Sequence, residues 1–221
     1  VLLVAHGLRY TVAGDDGPLR VLDQADFSVE AGEIVDVVGP SGSGKTTLLR
    51  ALARLLPGAV GELSLEGTPS SEIDSREWRM RVALLPQIAS LAGGTVRSNL
   101  LLPWSLKVRS EQSRPADRVL REALDGVGLE GIHLDRDAAR LSVGQAARIA
   151  LLRMTLTDPD VLLLDEPDAN LDEDSTAQVA KMTAEFAERG KGVVRVRHHR
   201  SDSLASRRLR MQQGRLAEVG E

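Results

Sequence analysis

Apolar and polar positions along the chain change period repeatedly, and each change marks an element. Residues 1–30 read as β-rich, with VLLVAHGLRYTV and LRVLDQADFSVE separated by a Gly-Asp-Asp-Gly-Pro turn at 14–18. The apolar run Ile34, Val35, Val37 and Val38 predicts a strand, followed by a Gly/Ser-rich loop and a helix over Thr47–Leu56. GELSLEGTPSSEI is a further short β segment, and Val82–Leu85 is an apolar strand ending at Pro86-Gln87.

From Ile88 to Arg140 the pattern is irregular, then helical. A Gly-Gly break precedes Thr95, an N-cap, and Pro103-Trp104 interrupts the run that follows. Val119, Leu120, Ala123, Leu124 and Val127 are spaced for a helix that stops at Gly126 or Gly128. Leu141–Leu156 predicts another helix, with Ser142 and Gln145 in capping-box spacing and one stripe of Ile149, Leu152 and Leu156. Val161–Leu164 is continuously apolar, as a strand buried on both faces should be. An amphipathic helix through EDSTAQVAKMTAEFAERG stops at Gly190, and GVVRVRHHR reads as a strand ending in two histidines. A terminal hairpin turns at Gln213-Gly214. The sum is one α/β domain with subregions: a β-rich start at 1–30, a core of 31–87 and 157–221, and a mostly helical insertion at 88–156.

Composition narrows the choice of partner. With 42% apolar but only 2% aromatic residues, aliphatic side chains must build the core. A net charge of -4 argues against a nucleic-acid face driven by bulk charge, so no nucleic-acid partner is expected. The absence of cysteine excludes disulfides and thiolate metal sites and suits a reducing cytosol. No apolar run approaches the roughly 20 residues that span a bilayer, so a membrane role needs a partner subunit. The opening VLLVAHGLRY is too short and too soon interrupted for a signal peptide.

The chemistry concentrates in Gly39–Thr46, GPSGSGKT, which satisfies G-x-x-x-x-G-K-[ST] between a strand and a helix. Glycines let successive N–H groups turn inward around a polyphosphate, and the helix that follows adds its positive end. Lys45 is placed for the β- and γ-phosphates and Thr46 for Mg²⁺. At the end of the strand Val161–Leu164, Asp165 can hold Mg²⁺ and Glu166 can polarise an attacking water. Gln87, ending its own strand, suits metal or water contact. Ser142 and Gly144 read either as a plain helix cap or as donors offered to a phosphate. Tyr10 is either a half-buried strand residue or an aromatic surface for a purine.

Five segments in order, GPSGSGKTT, LLPQ, LSVGQ, VLLLDEP with ANLD, and VRHH, resemble the nucleotide-binding subunits of ABC transporters along essentially the whole chain. The stretch GGTVRSNLLLPWSLK further resembles the subgroup of iron-export ATP-binding proteins. The resemblance implies a P-loop NTPase (RecA-like) core with an N-terminal antiparallel β subdomain and an inserted helical subdomain. It implies a head-to-tail dimer, a homodimer or paired ATPase subunits, with two ATP molecules and Mg²⁺ at the interface. It implies ATP hydrolysis that powers a transmembrane permease from the cytoplasmic, inner face of the cell membrane.

Carried over by position, the nucleotide would lie on Gly39, Pro40, Ser41, Gly42, Ser43, Gly44, Lys45, Thr46 and Thr47, with Tyr10 on the adenine. Gln87 would sense Mg²⁺ and the attacking water, Asp165 would hold the metal, Glu166 would be the general base, and His198 would bond the γ-phosphate. Ser142, Gly144 and Gln145 would touch the partner's nucleotide, and Asp172 would contact the opposite subunit.

Four departures from the family pattern bear on turnover. Val143 stands where glycine is usual; a positive φ there would cost valine about 1–2 kcal/mol, and any other φ would cost only close approach. Arg195 and Arg197 lie in what should be a buried strand, where they must reach solvent at strand ends, pair with acids, or mark a divergent or engineered chain. Asp36 raises the same question, and EPDANLD replaces the small or hydroxyl residues usual after the proline. Two other functions compete with the transporter subunit. One is a switch that binds ATP but barely hydrolyses it. The other is a soluble ABC-type ATPase acting on DNA or ribosomes, whose long coiled coils or second cassette this chain lacks.

Overall fold

The computed structural model describes residues 1–14, 17–88, 90–197 and 202–219. The chain divides into two compact units. The first comprises Val1–Leu84, Pro159–Glu166 and Ala184–Glu221, and among its described residues it contains two sheets.

One sheet is antiparallel. Strands β1 (Leu3–Gly14) and β2 (Gly17–Val29) form a hairpin in which Leu3, Ala5, Phe27 and Val29 face one another in register and are buried. Strand β4 (Val60–Leu65) pairs with the other edge of β1, and β5 (Thr68–Pro69) pairs with β4.

The second sheet is built around β3 (Ile34–Val38), which runs parallel to β8 (Gly192–Val196) on one side and β9 (Arg207–Gln212) on the other. Beyond β8 come β7 (Val161–Asp165) and then β6 (Val82–Leu85); β10 (Arg215–Glu218) closes the opposite edge as a hairpin with β9. Every residue of β7 is buried, as its unbroken apolar run requires. Gln213 and Gly214 both have positive φ, at 49° and 75°, which is the turn chemistry a two-residue hairpin needs.

Helix α1 (Lys45–Leu52) starts two residues earlier than the sequence suggests and stops four residues sooner. Its end has a backbone cause: Arg54 adopts φ 53°, and the Leu55 N–H donates back to the Arg50 carbonyl at 2.9 Å. Trp78, on α2 (Ser75–Arg81), is fully buried and donates its Nε1–H to the Leu52 carbonyl at 2.8 Å.

The arginine in β8 is paired. Asp36 and Arg195 are direct neighbours in the β3–β8 register, and Arg195 donates from Nε to Asp36 Oδ1 at 2.7 Å and from Nη2 to Oδ2 at 3.2 Å. Asp202 accepts from the same guanidinium at 2.8 and 2.9 Å and lies 2.7 Å from Arg197 Nη1. Burial pulls the Arg195 pKa down, but the bonds to Asp202 and Asp36 outweigh it and hold the guanidinium above its usual range. The strand ends at Val196, before the two histidines, which lie outside the described residues.

The second unit comprises Leu85–Asp158 and Pro167–Thr183. It holds α3 (Val96–Leu100), α4 (Asp117–Gly126), α5 (Val143–Thr155) and the part of α6 (Glu173–Glu188) up to Thr183. Thr95 caps α3, accepting from Ser98 N–H at 3.1 Å. Helix α4 ends at Gly126 and Gly128 takes the left-handed turn at φ 69°. Leu120 and Leu124 are its buried stripe, whereas Val119 is 38% exposed. No helix among the described residues is long and apolar enough to cross a membrane.

Candidate functional site

In the first unit, the loop between β3 and α1 is a ring of backbone held close to its neighbours. Gly39 (φ 154°) is packed so that a Cβ would lie 2.3 Å from the Met211 carbonyl oxygen. A Cβ on Gly44 (φ 105°) would lie 2.8 Å from the Val21 carbonyl oxygen. Both glycines are therefore required by conformation and by space. Lys45, only 6% exposed, curls over the loop and donates from Nζ to the carbonyls of Gly39 and Pro40, each at 2.9 Å. Gly44 caps α1 without a side chain, and no acidic residue occupies the first turn, so its leading N–H groups have no side-chain cap among the described residues. Ser41 and Gly42 are exposed, while Thr46 and Thr47 are half-buried.

Among the described residues of this unit, two buried oxygens have no hydrogen-bond partner: Ser43 Oγ and Asp165 Oδ1. Asp165 is 3% exposed, and burial pushes its carboxyl above the usual carboxylate range. The neighbouring Glu166 adds to the rise, while the Thr46 hydroxyl beside it and the charges of Arg50 and Lys45 oppose it. A hydroxyl and a carboxylate with a spare buried oxygen form a hard donor pair. Among the described residues there is no cluster of three or more acidic or histidine side chains that would hold a metal alone. The pair therefore suits an ion that takes its remaining ligands from water and phosphate, as Mg²⁺ does.

Glu166 follows directly with φ 51°, an unfavourable backbone for a non-glycine residue, fixed by its N–H donating to the Val196 carbonyl at 3.1 Å. Tyr10 is a half-buried strand residue opposite Leu22, packed against the core.

In the second unit, Gln87 is exposed just past β6. Ser142 caps α5 in a complete capping box: its hydroxyl accepts from Gln145 N–H at 3.2 Å, and Gln145 Oε1 accepts from Ser142 N–H at 3.0 Å. Val143 is the first residue of α5, is 67% exposed, and is not among the positive-φ residues. Valine is therefore unstrained, and the ordinary-φ alternative holds. Gly144 is buried beside Asp172 and Ser175. Asp172 accepts from Ser175 N–H at 2.7 Å, and this bond, with the Ser175 hydroxyl next, holds its carboxyl below the usual range despite desolvation. His198 lies outside the described residues.

The structure thus gathers the loop with Asp165 in one unit, and Ser142, Gly144, Gln145 and Asp172 in the other. Sequence reasoning missed Ser175 and Arg148. The signal for Ser175 was its place three residues after Asp172, a helix-cap spacing; nothing local marks Arg148.

A P-loop fold with these two clusters defines a class of nucleotide-binding cassettes, and comparison with known proteins agrees. The family model described as ABC transporter matches residues 22–169. The hemin import ATP-binding protein of Nocardia farcinica is 37% identical over 227 residues, covering 100% of this chain and 77% of that protein. The probable iron export ATP-binding protein of Escherichia coli is 35% identical over 187 residues, covering 84% of this chain and 81% of that protein. A phosphate import ATP-binding protein of Natronomonas pharaonis is 36% identical, covering 98% and 78%. A bacterial ABC transporter cassette solved as a dimer shares the fold with a TM-score of 0.82 at 21% identity, over 100% of both chains. A dimeric post-hydrolysis state of an ATP-binding cassette, bound to ADP and Pi, gives 0.84 at 22%, again over 100% of both chains. The chain belongs to the ABC transporter family.

Proposed function

We propose that this chain, an ATP-hydrolysing subunit of an ABC transporter, holds Mg-ATP on the loop Gly39–Thr47 and closes head to tail on a second copy. One observation carries the reading: Lys45 is folded back onto its own loop carbonyls beside two buried oxygens, Ser43 Oγ and Asp165 Oδ1, that lack partners. A polyphosphate with its cation would satisfy the uncapped N–H groups of α1, the lysine and both oxygens together.

Thr46 and Asp165 would hold Mg²⁺, which neutralises charge on the phosphates, and Gln87 would complete its surroundings. Lys45 would bind the β- and γ-phosphate oxygens, and Tyr10 would offer its ring to the adenine. Glu166 would take the proton of the attacking water, with its strained backbone fixing where the carboxylate stands. His198 keeps its proposed bond to the γ-phosphate. Ser142, Gly144, Gln145 and Asp172 would face the nucleotide of the second copy.

Three of the relatives are named for hemin import, phosphate import and iron export, with level identities of 37%, 36% and 35%. Their names support coupling to a transmembrane permease on the cytoplasmic face of the membrane.

Glu166→Gln tests the hydrolytic role. ATP affinity should be retained while turnover falls by roughly 10²–10⁴, the usual worth of a general base. Gel filtration with Mg-ATP should show a trapped dimer. An unaltered rate with only monomer in the column would remove Glu166 from that role.

A further inference from the structure

Gly144 and Asp172 come from chain segments that are 28 residues apart, yet they meet within the second unit through one side chain, Ser175. Ser175 is 3% exposed. Its N–H donates to Asp172 Oδ1 at 2.7 Å, so the residue that anchors this carboxylate is the one packed against α5. The hydroxyl also rests on the α5 backbone. A Cβ built on Gly144 would lie 2.0 Å from Ser175 Oγ, 2.8 Å from its Cβ and 3.8 Å from Asp172 Oδ2. Position 144 therefore has room for hydrogen only, and what fills the space is Ser175. Arg148 braces the same junction. Its Nε donates to the Gly144 carbonyl at 3.3 Å, its Nη1 donates to the carbonyls of Val127 and Gly128 at 3.0 Å, and its charge acts on Asp172.

We propose that Ser175 is a positioning residue, which locks Asp172 to the capped start of α5 so that both are presented to a second copy as one rigid piece. The inference rests on the head-to-tail reading above and deepens it. Ser175 touches neither nucleotide nor partner; it sets the register between two segments that do. Interfaces of this kind lose affinity steeply when contact groups are free to drift, because their ordering must then be completed on association. Loss of the hydroxyl should therefore tax dimer closure and leave nucleotide binding by a single copy intact.

The experiment measures ATPase rate against protein concentration for wild type and Ser175→Ala, with Mg-ATP affinity at low protein concentration and thermal midpoint measured alongside. The concentration at half-maximal rate should rise about two- to tenfold, the cost of ordering one loosened side chain on association. Single-copy ATP affinity should not change. Ser175→Cys, which keeps an atom in the space against Gly144, should fall between the two. An unchanged concentration dependence would overturn the proposal, as would a drop in thermal midpoint as the sole effect, since that marks mere packing. A wild-type rate per molecule independent of protein concentration would instead overturn the dimer reading, and this proposal with it.

Discussion

Asp36 and Arg195 are 159 positions apart in sequence and adjacent in space, both with less than 3% exposure. Each alone would be an expensive burial; together, with Asp202, they satisfy each other's charge and hydrogen-bonding geometry. Asp36→Val alone should destabilise the fold by about 3–5 kcal/mol, because it removes half of a buried pair. The double variant Asp36→Val, Arg195→Val should recover most of that loss in urea unfolding. Additive losses would mean that the two are not a pair. Acid titration probes the same cluster. Asp202 is held below its usual 3.8 by the bonds and charge of Arg195 in spite of burial. Its contribution is thus present above that value and is lost as pH falls through the lower folded pKa. Asp202→Asn should flatten the stability-against-pH curve in that acid range, and an unchanged curve would contradict the assignment. The charges were visible in the sequence as departures, but their pairing was not, since strand register between distant segments decides it.

At the scale of elements, what is local was legible. The capping box of α5, the Thr95 cap and the Gln213-Gly214 turn each depend on residues within a few positions, and all three form as the spacing suggests. The early end of α1 was not legible, because it depends on Arg54 entering the left-handed region, which its side chain does not announce. The joint between α5 and α6 was equally hidden. Gly144→Ala should show how tight it is, with a cost of about 1–3 kcal/mol from overpacking against Ser175. A thermal midpoint unchanged by that substitution would mean that the joint yields freely. Val143 poses the opposite case, exposed and unstrained at the first position of α5. It brings a branched side chain to the face proposed to meet the partner's nucleotide. Val143→Gly should raise ATPase activity and ATP-driven dimerisation with single-copy ATP affinity nearly unchanged. Lower activity with folding intact by circular dichroism would mean that valine belongs to this interface.

For the molecule as a whole, the parallel strands of one sheet deliver Gly39 from the end of β3 and Asp165 from the end of β7, the place where such strands gather ligand-binding groups. The nucleotide loop was legible because its chemistry is written in eight consecutive residues. The orphaned oxygens of Ser43 and Asp165 were not, since burial and satisfaction depend on the assembled fold. Everything proposed for turnover and closure stands on nucleotide binding at this loop. Calorimetric titration of Mg-ATP into wild type and Lys45→Ala tests it directly. Wild type should bind saturably, and the variant should bind about 10- to 100-fold more weakly, the loss expected when a charge-assisted hydrogen bond to phosphate is removed. Equal affinity in the two proteins would contradict the assignment of Gly39–Thr46 as the phosphate-binding loop.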